Sequence, residues 1–318
     1  MALRPPGAPV QTFAAGSSPA APSRRDEGRG LLLGLAGVVM FALTLPMTRL
    51  AVGDASQPQL PPAFVTAGRA ALAGILSMAW LAWVRAPWPS RAQLLPLGVC
   101  ALGTVVGFPL FLALALRRVD AMHAAVVTGV LPLATAVAAA LALRQRASPA
   151  FWVCAALGCG LVLVFAALQG SGTLSAADLL LLGAVASAAM GYVAGARVSA
   201  QMPGEQTICW VVVLSLPLTL PATLLAWPGQ AASPAAWGGF LYVSLFSMWL
   251  GFFAWYRGLA LGGVMRVSQV QLLQPFIALL AAVPILGERL EPMTLGFALA
   301  VMVVVFVGRR LPAGQSRR

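Results

Sequence analysis

Three basic side chains lie inside or at the start of long apolar stretches of this sequence. Arg69 lies about seven residues into the second stretch, and His123 and Arg266 open the fourth and ninth. A charge inside a bilayer is costly unless it faces a cavity or a partner. Arg69 and Arg266 can therefore contact an anionic substrate, or reach an interface and hold the bundle together. His123, the only histidine, can couple a proton or serve as an interfacial side chain.

Glutamines interrupt the ninth apolar stretch. At 100° per residue, Gln271 and Gln274 share one helix face, whereas Gln269 points nearly opposite. Amides on one face can line a polar cavity or form hydrogen bonds between helices. We predict cavity lining for Gln271 and Gln274 and packing for Gln269.

Aromatic residues crowd the end of the eighth stretch. Trp249, Phe252, Phe253 and Tyr256 form one side at helical spacing. That side can stack an aromatic or aliphatic substrate, and we predict substrate contacts for Trp249 and Phe253. The alternative is an interfacial aromatic belt, which we favour for Trp255 and Tyr256.

Two prolines fall near the middle of apolar stretches. Pro132 and Pro275 each remove one helix hydrogen bond, which can create a hinge or a fixed kink. Each is followed 14 residues later by an arginine (Arg146 or Arg289) and 17 residues later by a proline. This repeated spacing predicts that the chain is a duplication.

Residues typical of catalytic and metal sites are scarce. None of the eight carboxylates lies clearly inside an apolar stretch, and the four cysteines have no C-x-x-C spacing. A membrane-embedded enzyme needs a nucleophile with its base, or clustered metal ligands. We therefore predict no enzymatic activity, no metal site and no cofactor.

Composition indicates an integral membrane protein. With 60% hydrophobic and 9% charged residues, the chain carries more apolar side chain than a soluble globule can bury. The formal net charge of +12 comes from arginines in tails and short connections, so we predict lipid contact and no nucleic-acid partner.

Ten apolar stretches are long enough to cross a bilayer as helices of about 20 residues. They are 31–51, 62–84, 93–115, 121–143, 149–168, 178–200, 206–227, 235–257, 264–286 and 291–308. A Gly- and Ser-containing linker, 169–177, divides them into repeats 30–168 and 178–308. Because five is odd, the second copy must be inverted. This all-α architecture of two inverted five-helix repeats is typical of secondary transporters.

Arginine placement predicts the orientation. Fourteen arginines fall on one side of the ten spans and four on the other, and short cytoplasmic loops carry the excess. We therefore predict that both termini are cytoplasmic, as tails 1–29 and 309–318, the first of them disordered.

The second half carries a family resemblance. An aromatic-rich span precedes the run from Gln271 to Gly296, which reads Q-L-L-Q-P-F-x-A-L-L-A, then L-G-E-R-L, and ends in glycine. The half opens with Asp178-L-L-L-L-Gly183. With Arg69 in the second span, these residues resemble EamA-type members of the drug/metabolite transporter superfamily. The resemblance implies a ten-helix inner-membrane carrier, often an exporter of amino acids, related metabolites or drugs.

The first half departs from this pattern, because Gln145 stands where Glu288 does in the second. We predict a secondary transporter of small molecules, monomeric or homodimeric, that exports amino acids or related metabolites by alternating access. A scaffold or receptor without transport is the alternative, and an enzyme a more distant one.

Overall fold

The structure, a computed structural model, describes residues 24–142, 148–169, 174–263 and 267–310. Within these ranges it is helical apart from short connections. Ten helical units, α1 to α10, follow the predicted spans in order. They are α1 (Arg24–Ala42 and Thr44–Val52), α2 (Pro62–Trp83), α3 (Arg91–Cys100, Ala101–Gly107 and Phe108–Leu116), α4 (Ala121–Thr128 and Leu131–Ala142), α5 (Pro149–Gln169), α6 (Ala176–Ser199), α7 (Gly204–Leu225), α8 (Pro234–Tyr242, Val243–Leu250 and Gly251–Gly262), α9 (Ser268–Leu273 and Gln274–Leu286) and α10 (Pro292–Arg310).

The all-α membrane architecture predicted from the sequence is confirmed. In the described part of the chain, nine units are long and apolar enough to cross a membrane, and α10 contains a shorter apolar stretch, Pro292–Gly308. Large apolar side chains such as Leu225 and Leu280 are exposed on the outer surface, as lipid contact requires.

The first helix begins earlier than the predicted span. It starts at Arg24, with Asp26 and Glu27 in its first turn, where acidic side chains interact favourably with the helix dipole. Residues 1–23 and 311–318 of the predicted tails, and 170–173 of the predicted linker, lie outside the described residues.

Several helices are irregular in the middle, and most of these irregularities precede a proline. The helix of α1 is interrupted at Leu43, three residues before Pro46. The two parts of α4 are separated just before Pro132, and in α9 a 3₁₀ segment ends just before Pro275. Proline cannot donate the i→i−4 hydrogen bond, so the preceding turn is released. Both predicted hinge residues therefore lie at breaks in the helix.

Wide π-helical turns occupy corresponding helices of the two halves. They span Ala101–Gly107 in α3 and Val243–Leu250 in α8. Such turns are rare in proteins and are frequent at functional sites. Their occurrence in both copies supports the duplication.

The set of packed helix pairs is symmetric between the two halves. Helix α2 packs on α7, α4 on α9, and α5 on α10, while α1 packs on α8 and α3 on α6. Exchanging α1–α5 with α6–α10 converts the α1/α8 pair into the α3/α6 pair and leaves the other three pairs unchanged. A two-fold axis between two copies produces this pattern.

Glycines allow the α1/α8 and α3/α6 pairs to touch through their backbones. A methyl group added at Gly258 of α8 would lie 2.6 Å from the backbone nitrogen of Gly34 in α1. One added at Gly103 of α3 would lie 2.8 Å from Cα of Gly191 in α6. Both pairs join helices of different halves, so the closest contacts between the halves depend on residues without side chains.

Candidate functional site: a central cavity closed at one end

A cavity of about 650 Å³ lies between the two halves of the bundle. Its described lining comes from both halves, namely Phe41, Thr44 and Leu45 of α1, Arg69 of α2, Cys100, Thr104 and Phe108 of α3, Thr128 of α4, Ala188, Gly191, Tyr192, Gly195, Ala196, Ser199 and Ala200 at and after α6, Gly204, Thr207, Ile208 and Val211 of α7, Ser247, Met248, Phe252, Trp255, Tyr256, Leu259 and Ala260 of α8, and Gln271 and Gln274 of α9. A cavity of this size suits a small molecule.

The cavity extends toward one end of the bundle only. Ser199 and Ala200 at the end of α6, and Gly204 at the start of α7, belong to its lining, as do Leu259 and Ala260 near the end of α8. We call the end at which α7 and α9 begin the open end. The opposite end, at which α4, α6 and α10 begin, contributes no residue of its connections to the described lining, and we call it the closed end.

Arg69 is the one charged residue in the described lining of this cavity. Its side chain is buried, with 3% exposed. Nη2 donates a hydrogen bond of 2.9 Å to Ser247 Oγ, which is 2.7 Å from Thr44 Oγ1. The Nε atom has no hydrogen-bond partner in the described part of the chain. Arg69 thus faces a cavity and joins three helices, rather than reaching an interface.

Both glutamines predicted to face a cavity are found in its lining. Gln271 and Gln274 also border a smaller space of about 40 Å³, together with Thr128, Pro132 and Pro275. The breaks of α4 and α9 therefore lie next to each other, in a small space that adjoins the cavity. Gln269, predicted to pack, is exposed.

The aromatic residues of α8 that line the cavity are not all those predicted from the sequence. Phe252, Trp255 and Tyr256 line the cavity, but Trp249 and Phe253 do not. Phe253 packs against Trp80 and Trp249, with ring centroids 4.9 and 5.3 Å away.

Helix geometry explains this placement. Phe253 lies about 100° around the helix from Phe252, and Trp249 belongs to the π-helical turn, where the ordinary angular spacing fails. Tyr192 of α6 also lines the cavity and was missed, because only its position opposite α8 gives it this role.

His123 lies at the closed end, away from the cavity lining. Its Nε2 is 2.7 Å from Oδ1 of Asp178, which lies in the first turn of α6. Asp178 also accepts hydrogen bonds of 2.8 and 2.6 Å from the backbone nitrogen and hydroxyl of Ser175. This arrangement joins the first half to the second through a carboxylate that is itself held in place.

Glu288, in the connection between α9 and α10, makes a second link between the halves. Its carboxylate accepts hydrogen bonds of 2.7 and 2.9 Å from the backbone nitrogens of Ala121 and Met122 at the start of α4. A carboxylate at a helix N-terminus satisfies unpaired N–H groups and interacts favourably with the helix dipole. Burial raises the pKa of the Glu288 carboxyl, whereas these two donors act to lower it.

We call these two links, Glu288 to the start of α4 and His123 to Asp178, the latch. Leu60, Leu116 and Leu181, near the helix ends on the same side of the bundle, are fully buried. Cross-half hydrogen bonds described at the open end are exposed and longer, 3.2 Å between Gln93 and Gln201 and 3.3 Å from Arg197 to the Ala142 carbonyl. The halves are therefore held together more firmly at the closed end.

Three residues singled out in the sequence lie outside the described residues, namely Gln145, Arg146 and Arg266. The predicted substrate role of Arg266 remains a prediction. Among the described residues, no group of three or more His, Cys, Asp or Glu side chains is placed to hold a metal ion.

Two five-helix halves around a cavity that is closed at one end define the class of multi-pass membrane transporters. The sequence matches the EamA-like transporter family over residues 28–167 and 175–308, and the chain belongs to that family.

Comparison with individual proteins agrees with this assignment. The chain is 43% identical over 283 residues to a protein of Bacillus subtilis (strain 168) named "Uncharacterized transporter YdeK", covering 88% of this chain and 97% of that protein. A solved structure described as "Crystal structure of protein" shares the fold, with a TM-score of 0.60 at 18% identity over 90% of this chain and 98% of the other.

Proposed function

We propose that the protein is a secondary transporter that exports amino acids or related small metabolites by alternating access. The observation that supports this most directly is the cavity between the halves, which reaches one end of the bundle and is separated from the other by the latch. A site at the interface of two repeats is reached from each side in turn when the repeats rock against each other.

The arginine distribution indicates which side of the membrane the open end faces. Arg85 lies in a connection at that end, and Arg91, Arg197 and Arg257 lie in the helices near it, as expected for the arginine-rich cytoplasmic side. On this basis the cavity faces the cytoplasm, both termini are cytoplasmic, and the latch lies on the outer side of the inner membrane. Export, rather than import, rests on the resemblance to the EamA-type carriers alone.

Pro132 and Pro275 act as hinges in this proposal. They lie in corresponding helices and border the same small space between α4 and α9. Because each helix is already interrupted there, bending requires no further loss of hydrogen bonds.

Transport is tested with the purified protein in liposomes. We expect the protein to carry at least one solute from a panel of amino acids and small metabolites down a gradient, and protein-free liposomes to carry none. Comparing the metabolites in the medium of cells with and without the protein then gives the natural substrate. Failure to carry any solute, with the protein correctly folded, would favour a scaffold or receptor.

A large side chain placed in the cavity should block transport, and a matched control on the same helix should not. Gln274→Trp places a large side chain in the cavity lining, and we expect it to reduce transport about tenfold or more, because the cavity then lacks room for the solute. Leu280→Trp is the control, because Leu280 lies on the same helix and is 63% exposed. Normal transport by Gln274→Trp would contradict a path through this cavity.

A further inference from the structure

Arg69 is a buried cation whose hydrogen bonds within the described protein are incomplete. A guanidinium carries five N–H donors in one plane. Here Nη2 donates to Ser247 and Nε has no partner in the described part of the chain. Burying a charge is costly unless an opposite charge or further hydrogen bonds compensate it. The described lining of the cavity contains neither aspartate nor glutamate, so an anion that pairs with Arg69 is not supplied by that lining and can come from a bound solute.

We propose that Arg69, Ser247 and Thr44 form a subsite for a carboxylate, and that the transported solute is a small organic anion with an apolar or aromatic body. This inference rests on the transport function proposed above and narrows its substrate class. It favours net-negative solutes over zwitterionic amino acids.

The geometry of the three side chains suits a carboxylate. Arginine binds carboxylates through two parallel N–H donors of its planar fork. Nη2 donates to the Ser247 hydroxyl at 2.9 Å, and Nε beside it is unpaired but buried, so a carboxylate that uses Nε must displace the side chains that cover it. Thr44 Oγ1 lies 2.7 Å from that hydroxyl, so side chains of α1, α2 and α8 are already joined at the subsite before a ligand arrives.

The remainder of the cavity suits an uncharged body. Phe41, Tyr192, Phe252, Trp255 and Tyr256 contribute aromatic surface to the lining. Rings of this kind bind apolar and aromatic groups by burial and stacking. A cationic solute would meet the like charge of Arg69 with no carboxylate in the described lining to offset it.

The wild-type protein, full length and in detergent, tests the substrate class directly. Binding of 3-phenylpropionate, its amide, 2-phenylethylamine and phenylalanine is measured by isothermal titration calorimetry. We expect the carboxylate to bind about 10- to 100-fold more tightly than the amide, because the amide lacks the negative charge and one of the two acceptor oxygens, and the amine to bind more weakly still. Equal affinity of carboxylate and amide, or tightest binding of phenylalanine or the amine, would overturn the proposal.

Variants assign the preference to the subsite. Arg69→Gln should abolish the difference between carboxylate and amide, and Ser247→Ala should reduce it. Arg91→Gln, which removes an exposed arginine at the start of α3, should leave it unchanged. If Arg69→Gln does not fold, the wild-type titration and the Ser247→Ala variant still test whether the carboxylate preference arises at this subsite. An undiminished preference in Ser247→Ala together with Arg69→Gln, or its loss in Arg91→Gln, would place the anion elsewhere.

Transport and binding fail in distinguishable ways. Wild-type protein that binds the carboxylate selectively but carries no solute into liposomes would overturn the transport function and keep the subsite. Wild-type protein that carries solutes without preferring carboxylates would keep the transport function and overturn the subsite.

Discussion

Replacing Glu288 by alanine is expected to open the closed end of the bundle. The substitution removes the acceptor of the backbone nitrogens of Ala121 and Met122. Hydrogen bonds to a charged group contribute about 1.5–3 kcal/mol each, so the loss of both should shift the equilibrium between closed and open forms about 100-fold or more toward opening. Transport should fall about tenfold or more, because each cycle requires this end to close again.

Paired spin labels measure the opening directly. Cysteines at Ala55 and Gln230 place one label on each half at the closed end, both at exposed positions, after the four native cysteines have been replaced. In Glu288→Ala the distance distribution should gain a longer component that is minor in the unsubstituted protein.

Glu291→Ala is the matched control for this experiment. It removes a carboxylate from the same connection, but Glu291 is exposed and its described contact is a hydrogen bond of 3.4 Å from Gln169. We expect its distance distribution to match that of the unsubstituted protein. An unchanged distribution and normal transport in Glu288→Ala would show that this carboxylate does not hold the closed end.

Adding one methyl group at Gly258 should impair the whole protein. The new carbon would lie 2.6 Å from the backbone nitrogen and 3.0 Å from Cα of Gly34, and backbone atoms cannot turn aside as a flexible side chain can. Helices α1 and α8 must then separate. Overpacking of this kind costs about 1–3 kcal/mol or more, so we expect Gly258→Ala to lower the unfolding temperature in detergent and to abolish transport.

Gly160→Ala is the corresponding control. Gly160 lies within α5, and a methyl group added there has no atom within 4 Å. Since alanine favours helix more than glycine does, this variant should unfold at the same temperature or a higher one and should transport normally. Equal stability of the Gly258→Ala and Gly160→Ala variants would contradict the close contact between α1 and α8.

Local patterns predicted the architecture well. The apolar stretches gave the order of the spans, and the equal spacing after Pro132 and Pro275 indicated a duplication before any contact was known. The same prolines marked the helix breaks, because a missing N–H group acts within one turn. These features depend on residues that are near each other in the chain.

The composition of the site depended on distant residues and was only partly predictable. Spacing within one helix identified Gln271 and Gln274, both of which line the cavity. Trp255 and Tyr192 could not be identified in this way, because the face that α8 turns toward the cavity depends on its π-helical turn and its packing on α1, and α6 meets the cavity only in the folded bundle. The pairing of His123 with Asp178 joins residues 55 positions apart and left no local signal.

The glycine contacts also bear on how the two halves move. Side chains that interlock between helices fix their register, and at Gly258 against Gly34 and Gly103 against Gly191 the helices instead meet backbone to backbone. Fewer side chains therefore need to repack at these two points if one half rotates against the other, as the proposed alternating access requires. Most of the resistance to that rotation would then come from the hydrogen bonds at the ends of the bundle.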